Sequence, residues 1–399
     1  MYWEGRQATG TAARAPRNPQ RAGIRQAGAI QGGDNVQAVF GSPGRYVQGA
    51  GALDALGGHV ARLGRDAVLV ADRMVMEMIG ARVGQLCADA GVALRRLSFD
   101  EGLTPELVAR LVGELGAGAP AVIVAAGGGR SIDAGKALAD HYQAPVITVP
   151  TVASNDAPTS KNYVLYDAHH RLLAVRHLPY SPACVVADTA LIAQAPAAML
   201  LAGIGDAISK SFEAAQCAAA PDGANMFGTR PLLSAGALAR ECHRVLMADA
   251  QAALAVAGSG VPDAAFERVV EATILMSGLG FESGGLSIAH ALTRGLSALR
   301  HAQRAPHGLQ VAYGLLVQLE LERRQDGARV EIEALYRRIG LPLRLADLGL
   351  TDASREELEA AATLSLAAPH MKNFPRALDA AAIADAMRQV DARAVRAPH

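Results

Sequence analysis

Hydrophobic and polar positions divide the chain into two patterns. Between Asp66 and Val149, short apolar runs alternate with amphipathic stretches. Asp66–Ala71 (DAVLVA), Leu94–Phe99, Ala121–Ala126 (AVIVAA) and Pro145–Val149 read as buried strands, each a short apolar run bounded by turn residues. Met74–Ala90, Pro105–Gly116 and the segment from the glycines at 127–129 through Ala139 read as helices. This alternation predicts a parallel sheet with helices on both faces. From about Thr189 the apolar positions recur at helical spacing instead: Pro196–Cys217, Pro231–Met247, Asp263–Leu279, Leu286–Leu299, Leu309–Arg323, Ile332–Ile339, Ser354–Leu366 and Leu378–Val390. Pro342, Pro369 and Pro375 fall between these segments, as breakers should. The fold class read from the pattern is α/β: a Rossmann-like parallel-sheet domain over 37–195, then an all-helical domain over 196–399. Ligands favour the cleft between such halves and the carboxyl ends of parallel strands. Residues 1–36, rich in Arg, Gly, Ala and Gln and without serine, fit a disordered extension.

Composition narrows the function. With 51% hydrophobic and 19% charged residues, the chain has material for large cores. Its 38 basic and 38 acidic residues cancel, and no basic face appears along the main body, which argues against a nucleic-acid binder. Cys87, Cys184, Cys217 and Cys242 form no C-x-x-C pair, so they read as free thiols of a reducing compartment. No apolar run approaches the roughly 20 residues of a membrane span, and no secretory signal opens the chain. The expectation is a cytoplasmic enzyme acting on small molecules, with no nucleic-acid or membrane partner.

Four segments carry candidate chemistry. In AVIVAAGGGRSIDAGK (121–136), a strand runs through Gly127, Gly128 and Gly129 into a helix bearing Arg130, Ser131 and Asp133. Glycines admit a phosphate to the backbone, and a helix start attracts anions. The same stretch is also an ordinary strand-to-helix turn capped by Ser131. Asp72, at the end of the first strand, suits the hydroxyls of an adenine ribose or the cap of the next helix. Pro150–Tyr166 (PTVASNDAPTSKNYVLY) is dense in hydroxyls and amides and follows the fourth strand, where functional loops gather. Asp206, His290 and His307 are potential metal ligands, but no local spacing joins them. Glu213 and Glu282 read as structural helix acids. His169 and His170 fall at a hairpin tip, and His370 lies close enough to a Pro-rich break to reach the cleft.

Taken together, these segments resemble the glycerol dehydrogenase branch of the iron-containing (group III) alcohol dehydrogenase family, from about Phe40 to Val390. FGSPGRYVQGA (40–50), GGGRSIDAGK (127–136), PTVASNDAP (150–158), AGIGDA (202–207) and SGLGFESGGLSIAH (277–290) carry the likeness. The resemblance implies metal ligation by Asp206, His290 and His307, and contact of Asp156 with a substrate hydroxyl. It implies an NAD site lined by Asp72, Gly128, Gly129, Arg130, Ser131, Asp133, Thr151, Ser154, Ser160, Asn162 and Tyr166. It further implies a homo-oligomer. Arg130 stands where the family loop carries Lys, and Asn162 stands where glycerol dehydrogenases carry an apolar residue. Lys210 stands where iron-type members place a fourth histidine. Three protein ligands and an open position are the pattern of catalytic zinc, so Zn2+ is expected in preference to Fe2+. Lys210, one helical turn after Asp206, could pair with that residue or reach a substrate carboxylate or phosphate, which raises a second substrate class, a 2-hydroxy acid or 2-oxo acid. Two further readings share this architecture: a dehydroquinate-synthase-like lyase and a non-catalytic nucleotide-binding relative.

Overall fold

The computed structural model describes residues 37–116, 118–167, 172–324 and 326–396. The expected extension over 1–36 and the hairpin-tip histidines His169 and His170 lie outside the described residues.

Through Asp188 the chain alternates strands and helices. These are β1 (Tyr46–Gly49), α1 (Leu56–Leu63), β2 (Asp66–Asp72), α2 (Arg73–Asp89), β3 (Ala93–Phe99), α3 (Pro105–Leu115), β4 (Val122–Gly127), α4 (Gly129–Tyr142), β5 (Val146–Pro150), β6 (Asn162–Tyr166), β7 (Leu172–His177) and β8 (Cys184–Asp188). Six strands form one parallel sheet in the order β1-β8-β5-β4-β2-β3. Alternate residues of each strand face opposite sides. Leu69, Ala71, Val124 and Ala126 pack with Val60, Val75, Ile79 and Val83 of α1 and α2. Val68, Val70, Ile123 and Ala125 pack with Leu107, Leu111, Ile132 and Leu138 of α3 and α4. After β3 the chain crosses back over β2, and the sheet then grows in the other direction from β4. The carboxyl ends of β2 and β4 therefore form the switch point, where ligands of such sheets bind.

Helices follow: α5 (Thr189–Ile192), α6 (Ala197–Ala207), α7 (Lys210–Ala219), α8 (Leu233–Val256), α9 (Ala264–Glu271), α10 (Ser277–Gly284), α11 (Ile288–Leu296), α12 (His307–Glu322), α13 (Ala328–Ile339), α14 (Arg355–Leu366) and α15 (Ala380–Arg396). Their apolar faces share one core that includes Ile204, Phe266, Leu292, Tyr313, Leu316 and Tyr336. Among the described residues, no helix is long and apolar enough to cross a membrane.

The structure differs from the pattern reading in four places. Strand β8 was not predicted; it is five buried residues between a proline-containing turn and the capping Asp188, too short to show a period. Strand β6 falls within the stretch read as a loop, and it pairs antiparallel with β7, as the expected hairpin requires, but apart from the parallel sheet. The predicted helix over 196–217 is two helices, because the Ser209 hydroxyl takes the Asp206 carbonyl (3.0 Å) at the break. The predicted helix over 263–279 widens into a π turn at Ala272–Met276 before α10 begins. Apolar spacing runs through both interruptions, so periodicity alone could not locate them.

Candidate active site

Helices α6 and α12 cross in backbone contact. A Cβ on Gly308 would lie 1.8 Å from the Ala202 carbonyl oxygen, and one on Gly205 would lie 2.5 Å from the Gly308 carbonyl oxygen. Only hydrogen fits at either position. The residues next to these glycines are Asp206 and His307, so the crossing sets their side chains together. Helix α11, packed against α12, adds His290 from the side, with its ring 5.5 Å from that of His307. One donor atom from each of Asp206, His290 and His307 lies within 4.8 Å of the others. Two imidazoles and a carboxylate in so compact a group could hold a metal ion. The three residues, separated in sequence, are thus brought together. His307 is surrounded by enough protein that burial pushes its pKa down to about 4. Its side chain is nevertheless exposed, the combination expected of a group lining an open recess.

Two buried charges organise the cluster. Glu213, on α7, accepts through Oε1 from the backbone N–H groups of Ser287 (2.8 Å) and His290 (3.0 Å). Its Oε2 accepts from His290 Nδ1 (2.6 Å) and the Ser209 hydroxyl (2.9 Å). That carboxylate fixes Nδ1 as the protonated nitrogen and turns the Nε2 lone pair toward the cluster. Burial opposes its ionisation, but His290 and these donors outweigh burial and hold Glu213 at about 2. Lys210 opens α7 and is 1% exposed. Its Nζ donates to Asp206 Oδ1 (2.7 Å), stands 2.9 Å from His290 Nε2, and lies 3.2 Å from Asp156 Oδ2. Burial would neutralise Lys210, yet the Asp156 and Asp206 carboxylates reverse this and raise its pKa. Asp206 is likewise held ionised, the ammonium overcoming the cost of burial.

Asp156 arrives on the loop after β5. That loop packs on α6 where Gly203 leaves room for the Ala153 carbonyl. On its other side the Thr159 hydroxyl donates to the Ile274 carbonyl in the π turn (3.1 Å). Ser277, the first residue of α10, donates to Asp156 Oδ2 (2.8 Å). Asp156 and Lys210 therefore stand beside the metal-ligand cluster.

Of the expected cofactor residues, Asp72, Gly128, Gly129, Arg130 and Ser131 stand together at the switch point. Gly127 has φ +135, a conformation that leaves no room for a Cβ beside Ser131. Gly128 precedes α4 without a side-chain cap, leaving the first N–H groups free for an anion. Gly129 and Arg130 begin the helix, and the Thr151 N–H donates to the Gly127 carbonyl (3.2 Å). Ser131 is not the cap that its sequence position allowed. It lies inside the first turn and donates to Asp72 Oδ2 (3.0 Å) across the switch point. Asp72 caps α2 by accepting from the Val75 N–H (3.0 Å), and the Arg130 guanidinium lies 4.0 Å from it. Asp133 is buried one turn further on. It accepts from the Val164 N–H (3.0 Å) through Oδ2, while Oδ1 has no hydrogen bond, and burial raises its pKa to about 6. Ser160 Oγ and the Asn162 carbonyl lie 3.5 and 2.7 Å from Lys136 Nζ, which is 3.9 Å from Asp133. Ser154 is half-buried in the loop after β5, and Tyr166 ends β6 partly exposed.

Sequence reasoning missed three residues here. Glu213 read as a structural acid, yet it fixes the orientation of His290, one of the three candidate ligands. Ser277 holds Asp156. Lys136, fully buried, donates to the carbonyls of Ala157 (2.6 Å) and Asn162 (2.7 Å) and so pins both ends of the segment carrying Ser160. The available signal was a charged residue inside an otherwise small or apolar helix face, as in SKSFEAA and DAGKALA.

The sequence profile of the iron-containing alcohol dehydrogenase family matches residues 43–189. The chain is 38% identical over 326 residues to a glycerol dehydrogenase of Pseudomonas putida, covering 82% of this chain and 89% of that protein. It is 34% identical over 327 residues to a glycolaldehyde reductase of Halobacterium salinarum, again over 82% and 89%. The crystal structure of a probable glycerol dehydrogenase from Sinorhizobium meliloti 1021 superposes with a TM-score of 0.85 at 32% identity, covering 91% of this chain and all of that one. The chain belongs to the glycerol dehydrogenase branch of the iron-containing alcohol dehydrogenase family, and so to the metal-dependent alcohol oxidoreductases.

Proposed function

We propose that the protein is a zinc-dependent, NAD-linked dehydrogenase of a secondary alcohol with a neighbouring hydroxyl: glycerol or another vicinal diol. The observation that carries this reading is the convergence of Asp206, His290 and His307 beside Asp156. An ion held by the three ligands would supply Lewis acidity toward the alcohol oxygen. Glu213 keeps His290 in the ligating tautomer. Asp156, held by Ser277, would orient the second hydroxyl. The cofactor's pyrophosphate would meet Gly128, Gly129 and the start of α4, with Arg130, Ser131 and Thr151 alongside. Asp72 would accept the ribose hydroxyls, which favours NAD over its 2′-phosphorylated form. Asp133, Ser154, Ser160, Asn162 and Tyr166 would line the nicotinamide side. Residues 37–195 would form the cofactor half and 196–399 the metal half. A homo-oligomer is part of the same proposal. The absence of a fourth histidine at position 210 favours zinc over iron.

Lys210 supports a second substrate class, because its buried ammonium beside Asp156 suits the carboxylate of a 2-hydroxy acid. Metal analysis followed by kcat/KM for glycerol, other diols and 2-oxo acids, each with NAD and NADP forms, decides between them. Zinc near one per chain with diol-driven NADH accumulation supports the first reading. Preferential oxo-acid reduction that is lost in Lys210→Ala supports the second. A protein that makes no NADH from a diol and reduces no oxo acid refutes both.

A further inference from the structure

The metal-ligand cluster already holds a cation of its own. Of the 38 basic residues in the chain only four are lysine: Lys136, Lys161, Lys210 and Lys372. Arginine carries positive charge elsewhere, so a lysine at the centre of the cluster is a departure from the chain's own usage. An ammonium is a compact point charge with donors only. His290 Nε2 stands 2.9 Å from that ammonium and 3.0 Å from Asp206 Oδ1; in the tautomer that Glu213 selects, with the proton on Nδ1, the ammonium donates into the one in-plane lone pair of Nε2. Nδ1 cannot serve instead, since it is committed to Glu213 at 2.6 Å. A metal ion bound to His290 needs the same Nε2 lone pair, and one lone pair cannot serve both. Asp206 Oδ1, 2.7 Å from the ammonium, is contested in the same way.

We infer that Lys210 is an internal counter-cation that occupies the ligands of the metal site and is displaced onto Asp156 when a metal ion binds. This rests on the triad reading proposed above. The retreat is prepared. Asp156 Oδ2 lies 3.2 Å from Nζ and also accepts from Ser277, and the Phe281 ring face lies 5.8 Å away. Metal binding is thus an exchange of one cation for another. It leaves the metal-free Asp206 and Asp156 carboxylates with a counter-charge, and it lowers metal affinity by the strength of the contacts that Lys210 gives up. The exchange also sets the displaced ammonium beside the metal, within reach of a substrate group bound there.

The test is a zinc titration of chelator-treated, full-length protein against a chromophoric chelator, run beside thermal melting with and without zinc. Lys210→Met is expected to bind zinc at least tenfold more tightly than wild type. Its metal-free form should melt lower, and its zinc-induced rise in Tm should be larger. A lysine with a purely structural role would lower Tm equally with and without metal and leave zinc affinity unchanged or weaker, and that result overturns the inference. Lys210→Gln gives the same readout with a polar side chain if the methionine variant does not fold. The structure of zinc-loaded wild type supplies an independent check. Nζ should lie beyond hydrogen-bond distance of His290 Nε2 while still contacting Asp156, whereas an ammonium unmoved beside a bound ion contradicts the proposal. Asp206→Ala separates the two failures. Unchanged zinc binding in that variant refutes the triad itself, whereas lost binding without tightening in Lys210→Met refutes only the exchange.

Discussion

Replacing Glu213 by glutamine tests how far a residue that does not ligate the metal controls the site. The side chain stays the same size, and Oε1 can go on accepting from the Ser287 and His290 N–H groups. The other end becomes an amide NH2 facing His290 Nδ1 and the Ser209 hydroxyl. Serine can rotate and accept, but Nδ1–H cannot point at a donor. The imidazole must then carry its proton on Nε2, which turns an N–H toward Lys210 and removes the lone pair that a metal needs. One buried, charge-assisted hydrogen bond is lost outright and the second is weakened. At roughly 1.5–3 kcal/mol for such a bond, the expected cost is about 2–3 kcal/mol. For a protein of this size that is a fall in Tm of roughly 5 °C. Zinc affinity should fall by about 10- to 100-fold, as for other changes to groups that orient metal ligands. Circular-dichroism melting of the metal-free protein and a zinc competition titration read the two effects separately. A variant that melts within 1 °C of wild type and binds zinc equally well would refute the reasoning.

Three further outcomes follow from the geometry. Gly308→Ala places a methyl group against the Ala202 carbonyl and forces α6 and α12 apart; we expect a loss of roughly 1–3 kcal/mol, the usual range for overpacking, and weaker zinc binding, measured by denaturant unfolding and metal titration. Asp133 has a folded pKa of about 6, above its ordinary value of 3.8, so it binds protons more readily when folded and its contribution to stability falls as pH rises from about 4 to about 6. Asp133→Asn should flatten that part of the stability–pH curve by up to about 3 kcal/mol, and a curve parallel to wild type would contradict it. Lys136→Met leaves the buried carbonyls of Ala157 and Asn162 without their donor, so the loop after β5 should loosen, with KM for NAD raised more than kcat is lowered and faster hydrogen exchange confined to 151–162.

The parallel sheet was legible because its inner strands are buried on both faces, which gives continuous apolar runs such as DAVLVA and AVIVAA. Helical periodicity gave the second half for the same reason. Its breaks at Ser209 and at Ala272–Met276 were invisible, since they shift hydrogen bonds without shifting which face is apolar. The glycine loop at 127–129 makes the strand-to-helix turn that its pattern indicated, although Ser131 bonds Asp72 rather than capping its own helix. The ligand triad could not be read from spacing. Asp206 and His307 are neighbours only because two glycines let α6 and α12 touch, and a contact between distant helices leaves no local pattern. Resemblance to a family supplied what spacing could not. The i,i+4 spacing did allow Lys210 to pair with Asp206, but its contacts with His290 and Asp156 join distant segments and leave no local pattern.

The most direct test of the central claim is anomalous diffraction at the zinc absorption edge from crystals of the zinc-loaded protein. The account expects one strong peak per chain, within bonding distance of Asp206, His290 Nε2 and His307, with Lys210 turned toward Asp156. A peak elsewhere, or zinc-loaded crystals with no peak among these three residues, would contradict it.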